Sequence, residues 1–571
     1  MILSSDTTAS IDTTASTAMD PPTLLDLPAE LILHILTFLG ASDVTNAAKT
    51  CRHLYRQCYD DQVWQPIVNA ELPGQATSTH GPVSSFRDLY IAHHPHWFLT
   101  RNRIWFADSE PHGKLLVTRY NDERGAIEAF AATASRGYSE LSFWEKDREV
   151  IIHSFEPKIS LDLHQPVVKL SVDSPRANPP NDYPSDRGYA PESIYSKEIL
   201  METFSEAGLF GSFMLCRSLP DRAITEQTKV WPPLRFPATD RARNDSQNNY
   251  NSAGHRPTRS SEVSQNNFRL RKWVEYSGRR SSPNMISFTP GISDALGVGM
   301  PYFASSLGSA GGGMSIRMPE DITTYASLPD SCYTPTAQKP WQGIWCGDYS
   351  GHGCEFIAII QPDAGDQKPL PRGIQWLQEW FTGGRRGSSS SDASFVSARE
   401  ELDNTNAIED DDSSEAGPSR SILDVETLPH MVKEKPEASS SDIPLDDVPS
   451  GRIEAIKLTG DPNIPRGHYT FIAPDIGHGG FVRIADEPTF RGARVVRSAG
   501  HIAGRGFRSD QYTPSQLILI SHNTLAQFWE GFGHISYYQR VDLEALMHYN
   551  DRPESFESPE QRHFSAVLGH F

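Results

Sequence analysis

Between Leu24 and Val68 the apolar residues recur at helical spacing. In "LLDLPAELILHILTFLG", Leu31, Ile32, Ile35, Leu36 and Leu39 fall at i, i+1, i+4, i+5 and i+8, which is one stripe of a helix. Pro28 suits the first turn, where no backbone N–H bond is lost, Glu30 favours the positive helix end, and Gly40 can stop the helix. Ser42 is placed to cap a second helix with an apolar face of Val44, Ala47, Ala48, Cys51, Leu54 and Tyr55. After a break at Asp60 and Asp61, residues Val63, Trp64, Ile67 and Val68 predict a third, short helix. Three helices in so short a stretch hold little core, so this module calls for a partner surface.

From about residue 97 the period changes. Short segments such as "NRIWFA", "KLLVTRY", "AIEAFAA" and "EVIIHSF" alternate or cluster apolar residues between Gly, Pro, Asn and Asp, as antiparallel barrels and sandwiches do. The texture returns in "GCEFIAIIQ", "IEAIKLTG", "HYTFIAPDI", "GFVRIAD", "QLILIS" and "HISYYQRV". Polar tracts interrupt it at 241–267 and at 383–448, the second rich in Ser and acids, and "SSLGSAGGGMS" is a third flexible piece. The expected fold class is α+β: a small three-helix module followed by an antiparallel β-barrel with disordered insertions. The expected layout is a disordered tail at 1–22, the helical module at 23–70 and a helical linker at 71–96. Barrel segments at 97–240, 268–382 and 449–545 follow, the polar loop 241–267 and the insertion 383–448 lie between them, and a tail ends the sequence at 546–571.

Composition narrows the partners. The formal charge of −20, from 72 acidic against 52 basic side chains, argues against nucleic acid or an anionic membrane as the main partner, because both repel it. Only 37% of the 571 residues are apolar, which leaves room for one sizeable core plus solvated linkers. The six cysteines, at 51, 58, 216, 332, 346 and 354, form no C-x-x-C pair and read as a reducing compartment. The first residues lack a basic segment followed by an apolar one, and no apolar run approaches the roughly 18 residues of a membrane helix. A cytoplasmic or nuclear location is expected.

Motif chemistry is sparse. No phosphate loop, H-E-x-x-H helix or G-x-S-x-G elbow occurs, and no cofactor is expected. His93, His94 and His96 in "AHHPHW" lack the second pair of ligands that a tetrahedral metal needs, so they read as satisfied surface or hinge histidines, and no metal site is expected. Cys51 and Cys58, seven apart on the expected second helix, read as small apolar residues of its buried face. "GIWCGDYSGHGCEF" has two readings: an acid/base set of Asp348, His352 and Glu355, or a hairpin whose glycines take positive φ while Tyr349 and Phe356 pack on either face. "LTGDPNIPRG", residues 458 to 467, also has two. Gly460 and Gly467 permit unusual backbone angles and the prolines stiffen the segment, so it is either a structural turn or a prefixed loop whose Asp461 and Asn463 read a polar end group.

Leu27, Pro28, Glu30, Leu31 and Ile32, with Ile35, Leu36, Leu39, Asp43, Val44, Ala47, Ala48, Cys51, Arg52, Val63 and Trp64, resemble an F-box, with Val44 where a leucine is usual. The resemblance implies docking on the Skp adaptor of cullin-based ubiquitin ligases, with Leu27, Pro28, Leu31, Ile32, Ile35, Leu36, Leu39, Val44 and Trp64 as the adaptor-binding set. Sequence leaves open which of these serve the module's own core. Four later blocks resemble the cyclin-D-binding F-box family in its fungal form: Gly343 to Glu355, Thr459 to Gly467, Ile502 to Phe507 with Thr513 and Pro514, and Trp529 with Ser536, Tyr538 and Arg540. That resemblance implies a β-barrel substrate domain, no catalysis by the protein itself, and protein substrates such as a cyclin, read at the carboxyl-terminal end of the target polypeptide. Asp461, Asn463, Tyr349, His352 and Trp529 are its implied substrate contacts. The family's cysteine/histidine zinc site finds no ligand cluster here. A rival reading keeps a small-ligand barrel or enzyme whose F-box serves its own turnover.

Overall fold

The computed structural model describes residues 23–547, apart from 110–111, 138–140, 154, 164, 175, 178–192, 202–208, 219–230, 232, 234–235, 239–255, 278–314, 318–320, 350–351, 375, 378–448 and 461–462. The tail 1–22, the insertion 383–448 and most of the glycine-rich piece therefore lie outside the described residues, as does Asp461. The protein divides into two compact units. Described residues 23–97 with 122–125 form the first, and the rest form the second.

The first unit is helical: α1 (Ala29–Leu36), α2 (Ala41–Ala48), α3 (Arg52–Gln57), α4 (Asp61–Ala70) and α5 (Phe86–His93). The expected second helix is two helices. The backbone extends at Cys51 (φ −155°), whose sulfur caps α3 by accepting from Leu54 N, so Cys51 is half-buried at a corner while Cys58 is buried beyond the end of α3. Gly40 precedes α2 as its N-cap, so Ser42 sits inside the helix, and α1 already ends at Thr37. Helix α4 is longer than expected because Asp60 caps it, its carboxylate accepting from Gln62 N at 2.9 Å. Ile32, Leu36, Val44, Val63, Trp64, Val68, Phe86 and Leu89 are buried in this unit, and the Trp64 indole donates to Cys58 O at 2.7 Å.

Two of the three clustered histidines are not at the surface. His93 and His96 are buried, and His93 Nε2 lies 3.1 Å from Gly125 O. An apolar environment disfavours the imidazolium, which is why His93 can enter a core with a neutral ring.

The second unit begins with α6 (Phe98–Asn102) and contains two sheets. The first is built from β1 (Ile104–Ala107), β2 (Lys114–Asn121), β3 (Ala126–Ser135), β6 (Lys158–Leu161), β7 (Val168–Ser171), β8 (Arg176–Ala177), β9 (Glu198–Met201), β10 (Leu209–Arg217), β11 (Val263–Ser277), β12 (Ser315–Arg317) and β13 (Asp321–Ser327). Most described strands of residues 97–240, expected to open the barrel, thus lie in an open sheet together with β11, β12 and β13, where β13 returns to pair between β1 and β11. Strand β11 also starts at Val263, inside the stretch expected to be loop; its polar residues are ladder-bonded to β13 on one side and β10 on the other.

The second sheet is the barrel: β14 (Gly343–Asp348), β15 (Cys354–Ile360), β16 (Ile453–Lys457), β17 (Tyr469–Ala473), β19 (Arg494–Gly504), β20 (Arg508–Leu519), β21 (Thr524–Trp529) and β22 (His534–Arg540). Pairing of β14 with β22 closes the ring. Strand β18 (Phe481–Ile484) adds to β19, and the hairpin of β4 (Leu141–Phe143) and β5 (Ile151–His153) adds to β22. Alternation sorts the side chains. Trp345, Ile357, Ile359, Ile453, Ala455, Phe471, Val496, Leu517 and Leu525 fill the inside, while Ile344, Cys346, Phe356 and Ala358 pack outward with Ile104, Phe106, Leu115 and Val117 of the open sheet.

Burial holds the His93 pKa down at about 4, against 6.5 for a free imidazole. The unfolded protein therefore takes up a proton that the folded one refuses. The stability of the helical unit should be fully present above about pH 6.5 and fall as pH drops towards 4, by up to about 3 kcal/mol. Urea midpoints of the helical signal at neutral and acidic pH measure this, and His93→Gln should flatten the part of the profile that His93 causes.

Candidate functional site

Two surfaces stand out. On α1 the stripe read from the sequence splits by burial. Ile32 and Leu36 are almost fully buried, with Val44 and Trp64, and so belong to the unit's own core. Leu31 (49% exposed) and Ile35 (41%) face out, in company with Leu27 and exposed Pro28, and Leu39 is half-buried. Leu24, Leu25 and Phe38 extend this exposed face, Phe38 being 77% exposed with its ring edge-on to His34. The helical pattern of the sequence did not single out these three; Phe38, at i+7 from Leu31 and i+3 from Ile35, was open to the same spacing rule.

The second surface is one end of the barrel. Four connections meet there: the β14–β15 turn, the 458–468 loop between β16 and β17, the tip between β19 and β20, and the β21–β22 turn. Under them the barrel interior turns polar. Ser498, Thr513, Ser515, Gln527 and Ser536 are all buried, and the hydroxyls of Ser498 and Ser515 share a hydrogen bond of 2.8 Å. Gln527 Nε2 donates to Ser515 Oγ at 3.1 Å. The opposite end is apolar and opens on a groove of about 410 Å³ lined by Trp341, Leu519 and Ile520 together with Arg494 and His522.

At the polar end Tyr349 and Trp529 both point inward. The Tyr349 hydroxyl is 3.0 Å from Thr470 Oγ1, its ring meets Tyr538 edge-on at 5.9 Å, and Lys457 Nζ lies 4.8 Å from its centroid. Thr470 reaches the interior because the β16–β17 register slips at Ala455/Ile456, a bulge that re-aims one side chain. Burial pushes the Tyr349 phenol well above its ordinary pKa, and the Tyr538 phenol likewise, so both stay neutral. The Trp529 indole donates to Ser536 Oγ at 3.2 Å and its ring lies on Gly500, where a Cβ would stand 2.2 Å from it. His352 is half-buried in the β14–β15 turn, its N–H donating to Tyr349 O, and Asn463 is half-buried in the adjoining loop.

"GIWCGDYSGHGCEF" is the hairpin, with Gly353 at φ +83° and with Tyr349 and Phe356 on opposite sides. Its three acid/base candidates separate. Asp348 points outward to the Arg136 guanidinium, whereas Glu355 points inward and pairs with Lys457 at 2.9 Å, both nearly unexposed. Adjacent strand registers put the two carboxylates on opposite faces of the ribbon, so they do not form one proton-transfer site.

The opening of "LTGDPNIPRG" is a fixed structure. Phe356 N donates to Thr459 Oγ1 at 2.8 Å, Gly460 N donates to His112 O at 2.7 Å, and buried Arg466 pairs with Asp108 at 3.0 Å and donates to Gly460 O. Gly460 (φ +142°) and Gly467 (φ +84°) take the angles expected of glycine, and a Cβ on Gly460 would stand 2.7 Å from a Glu355 carboxylate oxygen. The residues on both sides of the pair Asp461–Pro462 are therefore anchored at the rim. Among the described residues, no group of histidines, cysteines and carboxylates has the arrangement of a metal site.

Residues 24–70 match an F-box-like domain, and residues 325–545 match a cyclin D1 binding domain. The protein is an F-box protein resembling the cyclin-D-binding family. It is also similar, at 29% identity over 65 residues, to an F-box/WD repeat-containing protein A-like protein of Dictyostelium discoideum, a stretch that is 11% of this protein and 6% of that relative. The similarity therefore spans only a small part of that relative's length. The F-box match coincides with the helices that carry the exposed stripe, and the second match begins inside β13 and takes in all eight strands of the barrel. No helix among the described residues is long and apolar enough to cross a membrane.

Lys457→Met should leave the Glu355 carboxylate buried without its lysine, lowering barrel stability by about 3–5 kcal/mol in urea unfolding. Adding Glu355→Leu should restore part of that loss, which a double-mutant cycle reads directly.

Proposed function

We propose that the protein is the substrate-recognition subunit of an SCF-type ubiquitin ligase. Its F-box helices hold the Skp adaptor and, through it, the cullin complex. Its barrel holds a protein substrate, such as a cyclin or another regulatory protein, by the carboxyl-terminal end of that substrate. The observation that carries this reading is the exposed stripe of Leu24, Leu25, Leu27, Leu31, Ile35 and Phe38 within the F-box match: a small helical unit that leaves so much apolar surface in water gains by burying it on a partner. Ile32, Leu36, Val44 and Trp64 then act indirectly, by fixing the helices that present the stripe.

The protein performs no bond chemistry in this scheme. It supplies proximity, turning the meeting of a substrate lysine with a ubiquitin thioester into an effectively intramolecular event. At the barrel rim a loop anchored on both sides loses little conformational entropy when it binds, and Asp461 is the group in it that accepts hydrogen bonds from a substrate end. Tyr349 and Trp529 offer rigid aromatic walls, with His352 and Asn463 beside them. Separation of Asp348 from Glu355 across the ribbon weighs against the enzyme alternative.

A Leu31→Asp, Ile35→Asp double variant should lose capture of the Skp adaptor in co-purification while keeping its helical signal; undiminished capture sinks the adaptor assignment. Asp461→Ala should weaken capture of substrate with an unchanged melting curve. Calorimetry with a bound substrate's C-terminal peptide reads the loss, expected to be about tenfold for one charge-assisted hydrogen bond.

A further inference from the structure

The tip between β19 and β20 is a rim connection to which the substrate contacts named above assign nothing. Its sequence is Gly504-Arg505-Gly506-Phe507-Arg508-Ser509. Phe507 (φ +64°) and Ser509 (φ +49°) both occupy the left-handed region that non-glycine residues avoid. Phe507 is nevertheless buried, at 5% exposure, so its ring holds the tip in this shape. On either side of that plug, Arg505 and Arg508 are exposed, and no ion pair or hydrogen bond to either side chain occurs among the described residues. The nearby acid Asp510 lies 3.3 Å from His501 Nε2.

The position matters as much as the charge. Phe471 pairs with Gly500, and His501 Nδ1 lies 2.8 Å from Tyr469 O, so the end of β19 runs alongside the end of the 458–468 loop. The tip therefore projects from the rim on the side of Gly467, where that loop enters β17. Two unengaged guanidiniums in a protein of net charge −20 make a local field opposite to that of the molecule as a whole.

We infer that Arg505 and Arg508 form a second contact for the substrate polypeptide, one that reads acidic side chains, Asp or Glu, in the segment just outside the barrel. The inference rests on the receptor reading above and adds a substrate class to it. The barrel grips the end of the polypeptide; the tip selects what precedes that end. Guanidinium forks suit carboxylates, and a tip fixed in advance forfeits little entropy on contact.

The test uses the full-length protein bound to its adaptor and a random-sequence peptide library with free carboxyl termini, comparing wild type with Arg505→Glu, Arg508→Glu. Neither side chain supports the fold, so the two proteins should melt together. Wild type is expected to enrich Asp and Glu upstream of the captured ends by about fivefold, the effect of two exposed ion pairs, with the preference fading in high salt. The variant should lose that enrichment or turn it towards Lys and Arg while still capturing peptide ends. Capture without an acid preference, or a preference unchanged in the variant, overturns this inference and leaves the receptor reading standing. Capture of no peptide by either protein overturns both.

Discussion

Closure of the barrel by the pairing of β14 with β22 is the contact on which the downstream architecture depends. Trp345 stands opposite Arg540, Cys346 opposite Gln539 and Gly347 opposite Tyr538. Gly347 is needed at that seam, because a Cβ there would stand 2.6 Å from the Tyr538 ring. Once closed, the ring has an inside and two ends, and the inside separates by chemistry: a packed apolar half around Trp345 and Ile453, and a polar half under the rim. Closure also leaves the outward residues of β14 and β15 free to pack with the open sheet, so one ribbon serves two cores.

The rim follows from the same closure. Consecutive antiparallel strands return their connections alternately to the two ends, which brings segments distant in sequence, near 350, 460, 505 and 531, to one circle. Each is fixed by a different device. The first turns on Gly353, the second hangs on Arg466 and two hydrogen-bonded backbone sites, the third is held by Phe507, and the fourth follows Trp529 as it packs on Gly500. The exposed stripe of the helical unit has the opposite character: apolar, regular and lacking cover of its own.

Local patterns were the legible part of the sequence. The helical stripe of Leu31 to Leu39, the hairpin at 343–360 and the positive-φ glycines 460 and 467 were readable because each depends on near neighbours. What could not be read was set by distant partners. The division of Leu31 from Ile32 depends on where α3 and α4 pack. The closing of a separate sheet between Ile104 and Ser327 depends on β13 returning to β1, a pairing across more than two hundred residues that alternation alone cannot announce. The inward turn of Thr470 came from a bulge, and the split of Asp348 from Glu355 from a parity that only the register fixes.

Two acts meet in one protein, holding a ligase scaffold and holding a polypeptide, and the lifetime of whatever the barrel holds tests their union most directly. Proteins that co-purify with both the wild type and the Leu31→Asp, Ile35→Asp variant would be followed by pulse labelling in cells carrying one or the other. The expected result is the same set of bound proteins, short-lived beside the wild type and long-lived beside the variant. Equal lifetimes in the two cases would contradict it.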